Sequence, residues 1–302
     1  MKKILFVLVG LILMLCVACS KTERELNIIA PNGAPGIALA DLCYNENNYN
    51  IEVNKTADAL KAAFATKEAD IIVAPVNLGA TMYKSQPNYL LASVITWGNL
   101  YLASQKADFK LADLNGADVI FFGQGTINDA IVKYVLSSND IVCNNISYLG
   151  STQLTVQQLL ADENAIVLVA EPALSQAKSQ NSKINSISIQ QLYEAASGSN
   201  SYPQAGCFVN IQTVEEDKKA IDNFLKDLEN SCSLCATNTE QIAQYAEELG
   251  LGGSKQALIT AIPNSNINYK KAKDVVADIE KVVSLNPALF GGATPEQSFY
   301  YE

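Results

Sequence analysis

One pattern occurs twice in this chain and constrains its fold more than any other feature. Residues 59–76, ALKAAFATKEADIIVAPV, resemble residues 155–173, TVQQLLADENAIVLVAEPA. Each copy reads as a helix, an acidic turn, a wholly apolar strand and a Pro-containing loop. A continuous apolar strand is buried on both faces, as in a sheet covered by helices. Two such units predict two similar α/β halves built from mostly parallel sheets.

The rest of the chain alternates in the same way. Residues 26–30 predict a strand, followed by the loop Pro31-Asn32-Gly33-Ala34-Pro35-Gly36 and one helix over 37–44. A second strand is expected at 51–53, a helix at 57–65 and a third strand at 70–74. The strand-like stretch 89–104 breaks at Gly98-Asn99. After a strand at 118–122, the loop Gly123-Gln124-Gly125-Thr126 opens a helix over 127–136. Beyond a strand at 207–211, the spacing predicts helices over 214–234, 239–249, 254–261 and 272–285, with 262–266 a polar loop.

Composition narrows the function classes. The chain has 302 residues, 49% hydrophobic and 17% charged, which is enough apolar surface for a folded core of two domains. Its net charge of −10 argues against nucleic-acid binding, which needs cations to neutralise phosphates. There is no histidine, so His-based triads, bases and metal sites are excluded. Arg24 is the single arginine, leaving no second candidate for a bidentate clamp on an anion.

The N-terminus carries Lys2 and Lys3 ahead of an apolar run over 4–15, the layout of a signal peptide. The run is too short for a membrane-spanning helix, which needs about 20 residues. It ends in Cys16-Val17-Ala18-Cys19-Ser20, which resembles the lipobox of bacterial lipoproteins, with Cys16 where Leu is usual. That resemblance implies a signal peptide over 1–18, lipidation of Cys19 by acyl chains such as palmitate, and a tether over 19–25.

Five further segments carry a wider resemblance. APNGAPGIAL (30–39), KEADIIVAPVN (67–77), LADLNGADVIFFGQGT (111–126), ENAIVLVAEPA (163–173) and NPALFGGATPEQSFYY (286–301) occur in that order. Together they resemble the class II substrate-binding lipoproteins of ABC importers, within the aliphatic-sulfonate, nitrate and thiamine-precursor binding group. The resemblance implies a two-lobed, periplasmic-binding-protein-like type II α/β fold. Lobe one would span 26–97 and 207–302, and lobe two 101–200, with hinges near 96–101 and 202–208. It further implies a monomer, lipid-anchored outside the cytoplasm, that closes on a small molecule and serves an ABC permease and its ATPase. No cofactor and no catalysis are expected. Enzymes on this fold exist, but an export signal and the missing histidines argue against one here.

Open α/β sheets bind ligands beyond the carboxyl ends of their strands, beside helix N-termini. That rule selects Asn32 and Gly33, Asn77, Trp97 and Asn99, Gln124, Gly125 and Thr126, and Glu171 as candidate ligand contacts. Structural alternatives accompany each. Asn32 and Gly33 suit a turn, Asn77 and Thr126 suit helix caps, Trp97 suits a core, and Glu171 suits a cap on the helix that follows it. With no His and no Arg in the expected cleft, the inventory favours a neutral or weakly cationic heteroaromatic, thiamine-pyrimidine-like or flavin-like. Trp97 would stack on it and Glu171 would meet an amine. A small oxyanion such as an alkylsulfonate or nitrate is the alternative, bound by helix N-termini. An exported lipoprotein that binds a protein or surface polymer is the third reading. Cys232-Ser233-Leu234-Cys235 lacks the second ligand pair a zinc site needs and reads as buried thiols, with a disulfide as the alternative.

Overall fold

The computed structural model describes residues 24–53 and 56–302. The signal-peptide and Cys19 expectations lie outside the described residues. Arg24, at the described start of the chain, donates to Asp70 at 2.8 Å and to Glu216 at 2.6 Å.

Two sheets organise the molecule. The first has six strands in the order β11-β4-β10-β3-β1-β2. These are β1 (Leu26–Ile29), β2 (Tyr49–Glu52), β3 (Ile71–Pro75), β4 (Tyr89–Trp97), β10 (Pro203–Asn210) and β11 (Ile267–Lys271). The second has five, ordered β7-β6-β8-β5-β9. They are β5 (Leu100–Ser104), β6 (Asp118–Phe122), β7 (Asn145–Leu149), β8 (Ile166–Ala170) and β9 (Asn185–Ser188). The chain passes between sheets twice, at Gly98-Asn99 and again just before Pro203. Each sheet is mixed. β1 pairs parallel with β2 and β3, and β6 with β7 and β8, whereas β10 and β5 insert antiparallel beside β3, β4, β8 and β9. The two insertions belong to the segments that cross between sheets.

The repeated unit forms as its pattern dictates. Helix α3 (Ala57–Thr66) buries Leu60 and Phe64, turns at Lys67 in the left-handed region, and returns as β3 with Ile71 to Ala74 buried. In the second copy, α6 (Thr152–Ala161) leads to β8 with Ile166 to Val169 buried. Asp70 anchors the first copy. Its buried carboxylate accepts from Arg24, from the Asn27 amide at 2.9 Å and from Thr213 at 2.7 Å.

Two local expectations differ from the structure. The helix expected over 37–44 is two short helices, α1 (Ala34–Ala38) and α2 (Ala40–Tyr44), broken at Leu39. The polar loop expected over 262–266 instead ends α11 (Lys255–Asn264) and runs into β11, whose sequence INYKK carries little apolar alternation. Edge position explains that pattern: β11 pairs only with β4. The remaining helices are α4 (Val76–Ser85), α5 (Ile127–Ser138), α7 (Ala173–Gln180), α8 (Ile189–Ser197), α9 (Ile211–Thr237), α10 (Thr239–Glu248) and α12 (Val276–Leu285). Cys43, Cys143, Cys207, Cys232 and Cys235 are all free thiols, and burial pushes the Cys235 thiol up to about 12.

Candidate functional site

The cavity of interest has a volume of about 860 Å³ and lies where the carboxyl ends of both sheets meet. Its wall takes Pro31 to Pro35 after β1, Pro75 and Asn77 after β3, Phe122 and Gly123 after β6, and Ala170 to Ala173 after β8. Thr96, Asn99, Gln204 and Ala205 supply the floor from the two crossings. The size falls in the range of small-molecule sites, roughly 300–1,000 Å³.

Helix N-termini dominate this wall. The residues before α1, α3, α4, α5, α6 and α7 (Gly33, Thr56, Pro75, Thr126, Ser151 and Pro172) all line the cavity. Each N-terminus carries free N–H groups and partial positive charge. Some are already occupied. Thr56 accepts from the Ala59 amide, and Ser151 accepts from the Leu154 amide. Glu171 serves α7, accepting from the Ser175 amide at 3.0 Å and its hydroxyl at 2.8 Å. Two long helices have no side-chain cap: α4 from the first sheet's lobe and α5 from the second's. The N–H groups of Val76, Asn77 and Leu78 and those of Ile127, Asn128 and Asp129 therefore belong to uncapped first turns.

The predicted residues separate into three groups. Asn32, Gly33, Asn77, Asn99, Thr126 and Glu171 line the cavity together. Asn77 is inside the first turn of α4, whose N-cap is Pro75, so the capping alternative for Asn77 does not apply. Thr126 precedes α5 but turns its hydroxyl back onto the Gly123 carbonyl at 2.6 Å. Glu171 is 4% exposed, and its carboxylate is turned onto α7; burial raises its pKa. Burial, reinforced by the nearby Glu171 charge, also pushes the Tyr101 phenol up to about 12.

Gln124 and Gly125 form the second group. They sit on the loop before α5 but not on the cavity wall; the Gly125 amide donates to Asp129 at 3.1 Å. Trp97 forms the third. It is 1% exposed and packs in the core, and its indole N–H donates to the Asn268 carbonyl at 2.8 Å. Lys270 covers its ring, with Nζ 4.4 Å from the centroid. A tryptophan beside a crossing strand is thus used for packing, and among the described residues Phe122 is the one aromatic side chain on the cavity wall.

Sequence reading missed Thr56, Asn128, Ser151, Thr152, Gln153, Gln176, Gln204 and Gly252, all on the wall. Thr56 and Ser151 had a legible signal, since each precedes a helical pattern as an N-cap. Gln176 and Gly252 had none, because a helix face and a glycine-rich turn become cavity wall only through the meeting of the lobes.

Among the described residues, no group of three or more Cys, Asp or Glu is placed to hold a metal ion. Lys61 and Asp58 add one charge of each sign at the exposed rim. The wall is therefore rich in amide and hydroxyl side chains, with the buried Glu171 carboxylate among them.

No family model and no curated protein matches the chain. Solved structures do. An ABC transporter structure from Parabacteroides distasonis aligns with a TM-score of 0.79 and 23% identity, covering 92% of this chain and 99% of that one. The zinc-bound ligand-binding component of an ABC-type import system from Staphylococcus aureus aligns at 0.72 and 14% identity, covering 92% and 96%. The periplasmic aliphatic sulphonate binding protein of Escherichia coli aligns at 0.71 and 14% identity, covering 93% of each chain. The TM-scores and coverages establish a shared architecture: the chain has the two-lobed α/β fold of periplasmic binding proteins.

Proposed function

We propose that this protein is an extracytoplasmic solute receptor of an ABC importer, and that its solute carries a small anionic head such as a sulfonate or carboxylate. The observation that carries this reading is the pair of uncapped helix N-termini, α4 and α5, brought to one cavity from opposite lobes. Such N-termini bind anions without a cationic side chain. The missing arginine clamp is then no obstacle, because backbone N–H groups take its place. Asn32, Asn77, Asn99, Asn128 and Gln204 supply amide donors around the head, and Phe122 with the Pro31, Pro35 and Pro172 rings suits a compact apolar body.

The heteroaromatic reading depends on Trp97 and Glu171. Trp97 is committed to the core and Glu171 to the first turn of α7, so the favoured ligand class moves to the anion. A surface-polymer role would draw on exposed apolar side chains. Among the described residues the large ones, Tyr44 on α2, Val142 in the loop between α5 and β7 and Leu154 on α6, lie on separate segments. In this reading the protein neither needs a cofactor nor performs catalysis. Signal cleavage after Ala18 and acylation of Cys19 would hold it at the membrane beside its permease.

Thermal unfolding of the full chain against a panel tests the proposal. The panel holds alkylsulfonates, carboxylates and nitrate on one side, and thiamine, its pyrimidine, riboflavin and polyamines on the other. A solute at 100 times its Kd adds about 2.7 kcal/mol of stability. For a chain of this size that raises the unfolding midpoint by roughly 4 °C. A rise with an anion supports the reading; a rise confined to cations or heteroaromatics refutes the anion assignment and keeps the receptor.

A further inference from the structure

The wall of the cavity contains a contact that joins the two lobes. Gln176, on α7, donates from Nε2 to the carbonyl of Gly252, in the turn between α10 and α11. Both residues line the cavity. The turn Gly250-Leu251-Gly252-Gly253 holds Gly252 at φ +79° and Gly253 at φ +123°, in the left-handed region that favours glycine. With Gln176 in place a side chain there is crowded. A Cβ on Gly253 would overlap the Gln176 amide and stand 2.9 Å from its Cγ, and one on Gly252 would stand 2.8 Å from the Pro172 ring. The glycines are thus needed by the approach of the opposite lobe as well as by their own turn. α7 and α11 pack side by side behind this contact.

We propose that Gln176 is a positioning residue for solute capture: its amide latches the second lobe onto the Gly252-Gly253 turn and so completes the cavity wall. The proposal rests on the receptor reading above. The bond exists only while the lobes are together, and the side chain that makes it is also wall. Filling of the cavity and closure of the lobes are therefore coupled at one residue. Other bonds between the lobes are distinct: Gln204 donates to Asn128 at 3.3 Å, Tyr101 to the Asn264 carbonyl at 3.2 Å and Lys281 to the Ser199 hydroxyl at 2.6 Å.

The test needs no solute, so its failure is separable from failure of the panel. In the full chain, Gln176→Cys is combined with Gly253→Cys. The close approach of Gly253 to the Gln176 stem puts the pair within the separation a disulfide spans, about 3.5–4.5 Å between Cβ atoms. Peptide mapping identifies the linkage, and solution scattering compares the oxidised and reduced forms of the same variant. The expected result is a specific 176–253 disulfide and a smaller radius of gyration when it is closed. Absence of that linkage under oxidant, or equal radii in both forms, overturns the latch. Gln176→Glu provides the second measurement, because a carboxylate beside the Gly252 carbonyl repels it. Faster hydrogen exchange over 250–258 and 173–180, with the amides of β3 and β10 unchanged, supports the proposal; unchanged exchange in both segments overturns it.

Discussion

Trp97 and Glu171 illustrate how a residue's neighbours decide its use. A lone tryptophan beside a chain crossing suggests a stacking platform, yet here its ring is core and its N–H is matched to the Asn268 carbonyl. Trp97→Ala should cost about 3–5 kcal/mol in denaturant unfolding, the usual range for emptying such a site. Trp97→Phe should cost less, about 0.5–1.5 kcal/mol for the lost hydrogen bond to the Asn268 carbonyl. Neither change touches a wall residue, so solute affinity should survive in the fraction that folds. Glu171 yields a pH signature. Burial favours its neutral form, so the folded pKa lies above the ordinary value. Between those two values the folded chain binds more protons than the unfolded one, and stability contributed by this group falls as pH rises through the window. Glu171→Gln removes that slope. Unfolding midpoints measured from pH 4 to 8 should therefore move in favour of the Gln variant as pH rises; parallel curves would contradict the assignment.

At the scale of elements, the caps and anchors set the geometry of the wall. Ser151 holds the first turn of α6, and Ser151→Ala should cost about 1 kcal/mol, measured by chemical unfolding. Asp70 ties β1, the start of β3 and α9 through three donors. Asp70→Ala should cost about 3 kcal/mol, because a charged acceptor is lost and its donors are left unmatched. The same scale explains what the sequence reveals. The repeated helix–turn–strand units were legible because periodicity and burial agree: Leu60 and Phe64 face the core and Ile71 to Ala74 are buried on both faces. Asn32, Asn77, Asn99 and Thr126 were legible as wall because strand ends and helix starts are local features. β11 was not, because an edge strand such as INYKK needs no alternation to pair with β4. The break at Leu39 was not, because α1 and α2 share one continuous apolar run and divide only where their backbone tightens.

For the whole molecule, the argument turns on what two lobes bring together that neither holds alone. One lobe supplies the uncapped start of α4 and the other the uncapped start of α5, and only their meeting makes the pocket that we propose takes a negative charge. The acidic chain has no His and one Arg, already paired with Asp70 and Glu216. In the proposed reading, backbone dipoles are then the means by which such a cavity would hold an anion. The most direct measurement is an amide-resolved NMR titration of the full chain with methanesulfonate. The account predicts shifts concentrated at Val76, Asn77 and Leu78 and at Ile127, Asn128 and Asp129, together and with one apparent affinity. Shifts confined to residues outside this cavity, or none at either helix start, would contradict it.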